Sequence, residues 1–352
     1  MRVLVATDRI GSLSSARAGL LLATGWPAAD VTVVPVGESG DGFLDAAADQ
    51  LAADVTNAAL GENLVSVASA GRTTLVALES ADPSPSPDIP LTATSAELGR
   101  AAAHALDPRG RVRQLVVDLA GPVVHDGGAG LLAALGASAD VPLDRGVARL
   151  AGITTLELDV ARGRLAGVDL VGVVPSRELA QPLLGLRGIT SLRRTPHLDP
   201  AELLWVDAAL TAFAELAAPE HASRPGAGAC GGLGFAILAL GGRLVTGPAY
   251  TFEQDTVRPA VAATDLVVTG CTVFDFARRG GGVVAAAAEV ATAQLCPCIA
   301  VAVEVLIGGR EMRTMGIESA YPVREARAAH GSDVSEEELM ATARRIGRSW
   351  RW

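Results

Sequence analysis

The sequence predicts an α/β protein on a largely parallel sheet, with both chain ends in that sheet and a second α/β domain inserted between them. Three observations predict it. Short apolar runs followed by glycine turns and amphipathic stretches recur at both ends, the alternation that parallel βαβ units produce. Asp265-Leu266-Val267-Val268-Thr269-Gly270 repeats the strand-then-glycine pattern that begins at Val3-Leu4-Val5-Ala6 and reaches Gly11. A chain of 352 residues with 49% hydrophobic content is long and apolar enough for two domains and a buried core.

Taken in order, Val3 to Ala6 reads as the first strand, followed by a Gly-Ser turn, a helix starting near Ser14 and a second strand at Val31 to Val36. From Asp82 to Pro90 alternate prolines remove backbone donors and force extended geometry, so this is a loop or linker. Gln114 to Leu119 is a strand leading into Asp126-Gly127-Gly128. Around Trp205 to Ala217, Val206, Leu210, Phe213 and Ala217 recur at helical spacing and form a core-facing stripe. Cys298 to Leu306 is a further buried strand. The last helix starts at Ser335, whose hydroxyl caps while Glu338 returns the bond, and its apolar face runs Leu339, Ala343, Ile346, Trp350. The expected division is a discontinuous domain of residues 1–60 and 258–352, Rossmann-like, and an inserted α/β domain of residues 61–257 carrying a glycine-rich loop.

Composition narrows the function. A net charge of −10 argues against duplex nucleic acid as a partner, because affinity for phosphate backbones comes from neutralising cations. Arg193-Arg194 and Arg344-Arg345 are then local surface pairs. Met1 to Asp8 turns polar too soon for an export signal. The apolar runs Leu233 to Leu240 and Val283 to Ala288 fall short of the roughly 18 residues of a membrane span. A cytoplasmic protein with no membrane partner is expected. Its four cysteines, Cys230, Cys271, Cys296 and Cys298, are then reduced and structural, since Cys296-Pro297-Cys298 lacks the spacing of a zinc knuckle.

Pro225 to Gly234 places five glycines in nine positions from Gly226, and bare backbone N–H groups can approach an anion. Gly226, Gly228, Gly231, Gly232 and Gly234 are therefore candidates for holding phosphate, or equally for tight packing. All 29 basic residues are arginine, so no lysine is available to grip a transferring phosphate. Gly226-x-Gly228-x-x-Gly231 also matches a dinucleotide fingerprint, but no strand precedes it, which argues against an oxidoreductase. Asp126 follows a strand within a glycine turn, where open α/β sheets place ligands, and His125 beside it is a turn residue or a proton carrier. Glu38-Ser39-Gly40-Asp41-Gly42 and Asp8 add acidic turns after strands, suited to Mg²⁺ and nucleotide phosphates.

In order, these segments resemble the bacterial glycerate kinase family over nearly the whole chain. The resemblance rests on Asp8 with Gly11-Ser12-Leu13-Ser14, Gly40-Asp41-Gly42, Thr92-Ala93-Thr94-Ser95, Asp126-Gly127-Gly128-Ala129-Gly130, the glycine run from Gly226, and Leu266 to Gly270 with Asp275. It implies two α/β domains around a cleft, with ATP and Mg²⁺ as cofactors and D-glycerate or a related hydroxy acid as acceptor. It further implies that Asp126 orients or deprotonates the acceptor hydroxyl, that Gly226 to Gly234 hold nucleotide, that Asp8 and Asp275 serve the metal or position the reactants, and that Arg9, Ser12 and Ser14 meet the acceptor carboxylate or the moving phosphate.

The departures lie where that family is most polar. Arg9-Ile10 stands where the family has a lysine, Gly121-Pro122-Val123-Val124-His125 where it reads Gly-Ser-Ala-Thr-Asn, Val273 where it has arginine, and Gly281-Gly282 where it has Gly-Lys. Loss of one transition-state donor costs on the order of 10²–10³ in rate. The alternative is therefore a catalytically degenerate relative that binds or regulates, unless Arg9, Arg278 or Arg279 replaces the missing groups.

Overall fold

The computed structural model describes every residue except 61–62, 80–88, 107–110, 193–198, 325–332 and 351–352. Asp82 to Asp88 of the proline-rich run, and Arg193-Arg194, lie outside the described residues. The strands in chain order are Arg2–Thr7 (β1), Asp30–Pro35 (β2), Asp54–Leu60 (β3), Asn63–Ala70 (β4), Thr73–Glu79 (β5), Gln114–Asp118 (β6) and Ser138–Ala139 (β7). Leu156–Glu157 (β8), Asp169–Val174 (β9), Arg243–Thr246 (β10), Leu266–Asp275 (β11), Cys298–Leu306 (β12) and Ser319–Pro322 (β13) complete them.

The chain divides into a unit of Met1–Ala52 with Gly247–Trp352 and a unit of Ala53–Thr246. The sequence reading put these limits near 60/61 and 257/258. They differ because β3 pairs antiparallel with β4, while the helix Gly247–Phe252 packs on the helix Gly281–Ala293.

The first unit is a five-stranded sheet in the order β13-β12-β11-β1-β2, with every pairing parallel. Counted along the chain this is the 2-1-3-4-5 order of doubly wound flavodoxin-like sheets. The strand order reverses between β1 and β11, and ligands of such sheets bind outside the carboxyl ends at that reversal. Leu4, Val5, Leu266, Val267 and Val268 are fully buried on both sides of the pairing, the continuous apolar pattern of a covered parallel sheet. Arg2 anchors it by a bidentate ion pair with Asp265, Nη2 to Oδ1 at 2.8 Å.

The C-terminal helix Glu336–Ser349 closes one face, with Leu339, Ala343 and Ile346 buried. Its Ser335 and Glu338 form the expected capping box. Beyond it, Trp350 donates its indole N–H to Tyr321 at 2.7 Å and accepts from Trp26 at its carbonyl.

The second unit is a six-stranded sheet in the order β10-β9-β6-β5-β4-β3, parallel from β10 to β5 and antiparallel beyond. The helix Pro200–Ala217 buries Val206, Leu210, Phe213 and Ala217 against its core. Among the described residues no helix is long and apolar enough to cross a membrane.

Glu338 accepts both Nε and Nη2 of Arg324, and with the Ser335 N–H this draws its carboxyl from the usual 4.5 down to about 2. A depressed pKa stabilises the fold above the unfolded value, and that contribution is lost as pH falls towards the folded one. Glu338→Gln should lower the melting temperature at pH 7, with the difference from wild type closing between about pH 4.5 and pH 2 in an acid melting series.

Candidate functional site

In the first unit the reversal point carries a set of acidic turns. Asp8 is the first residue after β1, and its N–H bonds the Gly270 carbonyl of β11 at 3.2 Å. Gly270 must lack a side chain there: a Cβ would lie 2.7 Å from both Ile10 Cδ1 and Thr7 Oγ1. Ile10 and Leu13 exchange backbone bonds of 3.1 Å, and the Gly11 N–H donates to Thr272 Oγ1 at 3.0 Å. The Asp8–Ser14 loop is thus tied to β11 by its backbone.

The half-buried Asp8 carboxyl accepts the Arg9 N–H at 2.7 Å. Burial, with Asp41 and Glu38 adding repulsion, pushes it up to about 7. Asp275 ends β11 and folds the next turn: its carboxylate accepts the Arg278 N–H at 2.6 Å and its carbonyl the Arg279 N–H at 2.9 Å. The buried Cys271 thiol is raised to about 12 by desolvation and then by Asp8 and Asp275, which lie after β1 and at the end of β11, the two strands that flank the reversal.

Those oxygens suit a hard divalent cation, which lowers the electrostatic cost of ionising Asp8. Among the described residues no three His, Cys, Asp or Glu side chains converge as a metal cage. Mg²⁺ does not need one, since it keeps waters and takes one or two carboxylates with substrate phosphates.

The other candidates of this unit are already engaged. Arg9 Nη1 pairs with Asp41 at 3.0 Å, both exposed. The Ser12 hydroxyl donates to Asp333. Ser14 caps the helix Ser15–Ala23 by accepting the Arg17 N–H.

In the second unit Asp126 is wholly buried. Its Oδ2 accepts the N–H and hydroxyl of Ser95, at 2.8 and 2.9 Å, and the Gly130 N–H at 3.2 Å, while Oδ1 accepts the Gly128 N–H at 2.9 Å. Ser95 Oγ in turn accepts the Leu131 N–H. Burial raises the Asp126 pKa against these bonds. Both oxygens bond inside the protein, where they join the Ser95 turn to the helix Ala129–Leu135. His125 beside it is also buried.

The glycine run is likewise packed rather than bare. A Cβ on Gly228 would lie 2.1 Å from Pro182 O, on Gly231 1.9 Å from Val124 O, on Gly232 2.5 Å from Gly127 Cα, and on Gly234 2.0 Å from Gly226 O. The N–H groups of Ala227, Gly228, Ala229 and Gly232 bond the carbonyls of Arg224, Gln181, Gly226 and Gly228. Cys230, Gly231 and Gly232 are all left-handed, with φ of 54°, 67° and 94°. The Cys230 N–H donates to Glu178 at 2.8 Å.

Glu178, after β9, and Asp118, the last residue of β6, both act on the Cys230 thiol, which burial raises most. Sequence reasoning missed this pair at the ends of adjacent parallel strands. The signal was present in Val116-Val117-Asp118 and in the turn after Val174, but neither carries the glycines that drew attention elsewhere.

The glycerate kinase family model matches residues 3–351. The chain belongs to the glycerate kinase family. It is 32% identical to an uncharacterized protein of Mycobacterium bovis over 92% of this chain and 84% of that one. It is 26% identical to a glycerate kinase of Haemophilus influenzae, over 99% of this chain and 98% of that one. The same identity relates it to a glycerate kinase of Bacillus subtilis over 92% and 90%. Its fold is that of a crystal structure from Salmonella typhimurium LT2 assigned as a glycerate kinase 2, with TM-score 0.80, 23% identity and 99% and 98% coverage. The α/β class with a parallel-rich sheet is therefore shared across this family member's whole length.

Two outcomes check this site. The folded Asp8 pKa, about 7, lies above the usual 3.8, so ionising Asp8 costs the fold increasingly from about pH 4 and in full above pH 7. In chelator, Asp8→Asn should melt higher than wild type at pH 8, and the gain should fade as pH drops towards 4. Gly231→Ala combines overpacking with a left-handed backbone and should cost roughly 2–5 kcal/mol in urea denaturation. Gly152→Ala has φ +81° but open space, and should cost only about 1–2 kcal/mol.

Proposed function

We propose that this protein transfers the terminal phosphoryl group of ATP to a hydroxyl of D-glycerate or a related hydroxy acid. The observation that carries the reading is the placement of Asp8 and Asp275 at the strand reversal of the first unit, in a chain matched by its family from residue 3 to residue 351. The named glycerate kinases among its relatives support the same chemistry.

On this reading Asp8 and Asp275 hold Mg²⁺, which neutralises phosphate charge. Arg278, exposed on the turn after β11, supplies a guanidinium fork able to bind phosphate oxygens bidentately. Arg9 reaches the same charge once it leaves Asp41, an exchange that costs little because exposed ion pairs are weak. Ser12 meets the acceptor after releasing Asp333. Asp126 positions the Ser95 and Gly127–Gly130 backbone instead of taking a proton. Gly226 to Gly234 hold the shape of the second unit through close backbone packing. The protein works in the cytoplasm, where ATP and small hydroxy acids meet.

Phosphoryl transfer is governed by positioning and electrostatics. With Ile10, Val273 and Gly282 in place of donors, turnover with D-glycerate, ATP and Mg²⁺ should be at least about 10³-fold below the ordinary 1–100 s⁻¹. A radiolabel transfer assay with Asp8→Ala as control measures it. Full-speed turnover would show that the arginines replace the missing donors, and absence of transfer by protein that binds both ATP and D-glycerate would leave the degenerate, binding-only reading standing.

A further inference from the structure

The chain has six phenylalanines. Phe43, Phe213, Phe235 and Phe274 are fully buried, and Phe252 packs partly buried against the core of the first unit. Phe276 is 64% exposed. It follows Asp275 directly, on the hydrogen-bonded turn that leaves β11 beside the strand reversal. The guanidinium of Arg279 lies over its ring, 5.8 Å from the centroid, and Arg279 holds a left-handed φ of 53° that a side chain normally avoids. In the neighbouring strand Leu306, paired in register with Asp275, is 53% exposed. An exposed ring, edged by a cation, therefore stands at the end of β11 next to the carboxylate Asp275.

We propose that Phe276 and Arg279 form a stacking platform for the purine ring of the nucleotide. The inference rests on the kinase reading above and extends it to the base. A purine nucleotide has one planar, apolar end and one polyanionic end, and the two features of this edge match them: an exposed ring with its guanidinium, and cation-holding carboxylates. Aromatic rings stack on any base, and arginine adds a cation–π contact to the same sandwich. A single exposed ring matches a single heterocycle, and it is too small for a protein interface, which buries roughly 800 Å² per partner.

The test compares a non-hydrolysable ATP analogue with inorganic tripolyphosphate, each with Mg²⁺, by calorimetric titration of the full chain. A stacked base is worth roughly 5- to 150-fold in affinity, so wild type should prefer the nucleotide by about tenfold or more. Phe276→Ala should bring the two ligands to within about twofold of each other while leaving tripolyphosphate affinity and melting temperature unchanged, because the ring supports no core. Phe276→Trp should keep the preference. A preference that survives Phe276→Ala, or a wild type that binds both ligands equally, overturns the platform but not the kinase reading. Failure of wild type to bind either ligand overturns the kinase reading itself, and the platform with it.

Discussion

The parallel pairing of β1 with β11 is the contact on which the first unit depends. It joins residues 263 positions apart in sequence, as the Arg2–Asp265 pair records. Closing a flexible loop of that length costs roughly 5 kcal/mol as (3/2)RT ln n. Full burial of Leu4, Val5, Leu266, Val267 and Val268, at about 1.5–3 kcal/mol each, outweighs it. The same pairing sets Asp8 next to Gly270 and Cys271, with Asp275 four residues further along β11. A side chain on Gly270 would push the first loop away from β11, and the carboxylates would part with it.

In the second unit the corresponding constraint is close backbone approach. The stretch with five glycines in nine positions looks in sequence like a loop waiting for an anion. In the structure those glycines let the segment touch Pro182, Val124 and Gly127 at distances no Cβ permits, and its donors are spent on neighbouring carbonyls. Asp126 follows the same logic. An Asp before two glycines reads as an exposed acid at a strand end, yet its four bonds make it an internal brace. Local sequence cannot separate these cases, because a glycine that admits a ligand and one that admits another backbone are the same residue. What decides is the identity of the neighbour, and Ser95, Pro182 and Val124 lie tens of residues or more away from the positions they meet.

The legible parts were those whose signal is local and strong. Cys298–Leu306 is a continuous apolar run and is a strand with those limits. Ser335 with Glu338 is a capping box because both partners lie within four residues. Ser14 was legible as the start of a helix, and its side chain caps that helix. The hairpin of β3 and β4 went unread: Asp54–Leu60 is exposed along nearly its whole length, so no burial pattern marks it. Asp118 and Glu178 were missed because their importance arises only from the adjacency of β6 and β9.

The absence of lysine acquires meaning at the strand ends of the first unit. Burial, with repulsion from Asp41 and Glu38 added to it, lifts Asp8 to about 7, so this edge favours a cation over a bare polyphosphate. Arginine in such a setting behaves differently from lysine. It stays charged whatever its surroundings, spreads that charge over a planar fork, and pairs with a carboxylate or an aromatic face while it waits. Arg9 does the first with Asp41 and Arg279 the second with Phe276. Arg9 is thus parked on a partner that a metal-bound phosphate can displace at small cost, because exposed ion pairs contribute little on their own. A lysine could pair at either position, but without the planar fork that meets a phosphate bidentately. The acidic edge and the arginines are therefore parts of one electrostatic arrangement, in which the cation bound by the carboxylates makes phosphate binding favourable and the arginines make it directional.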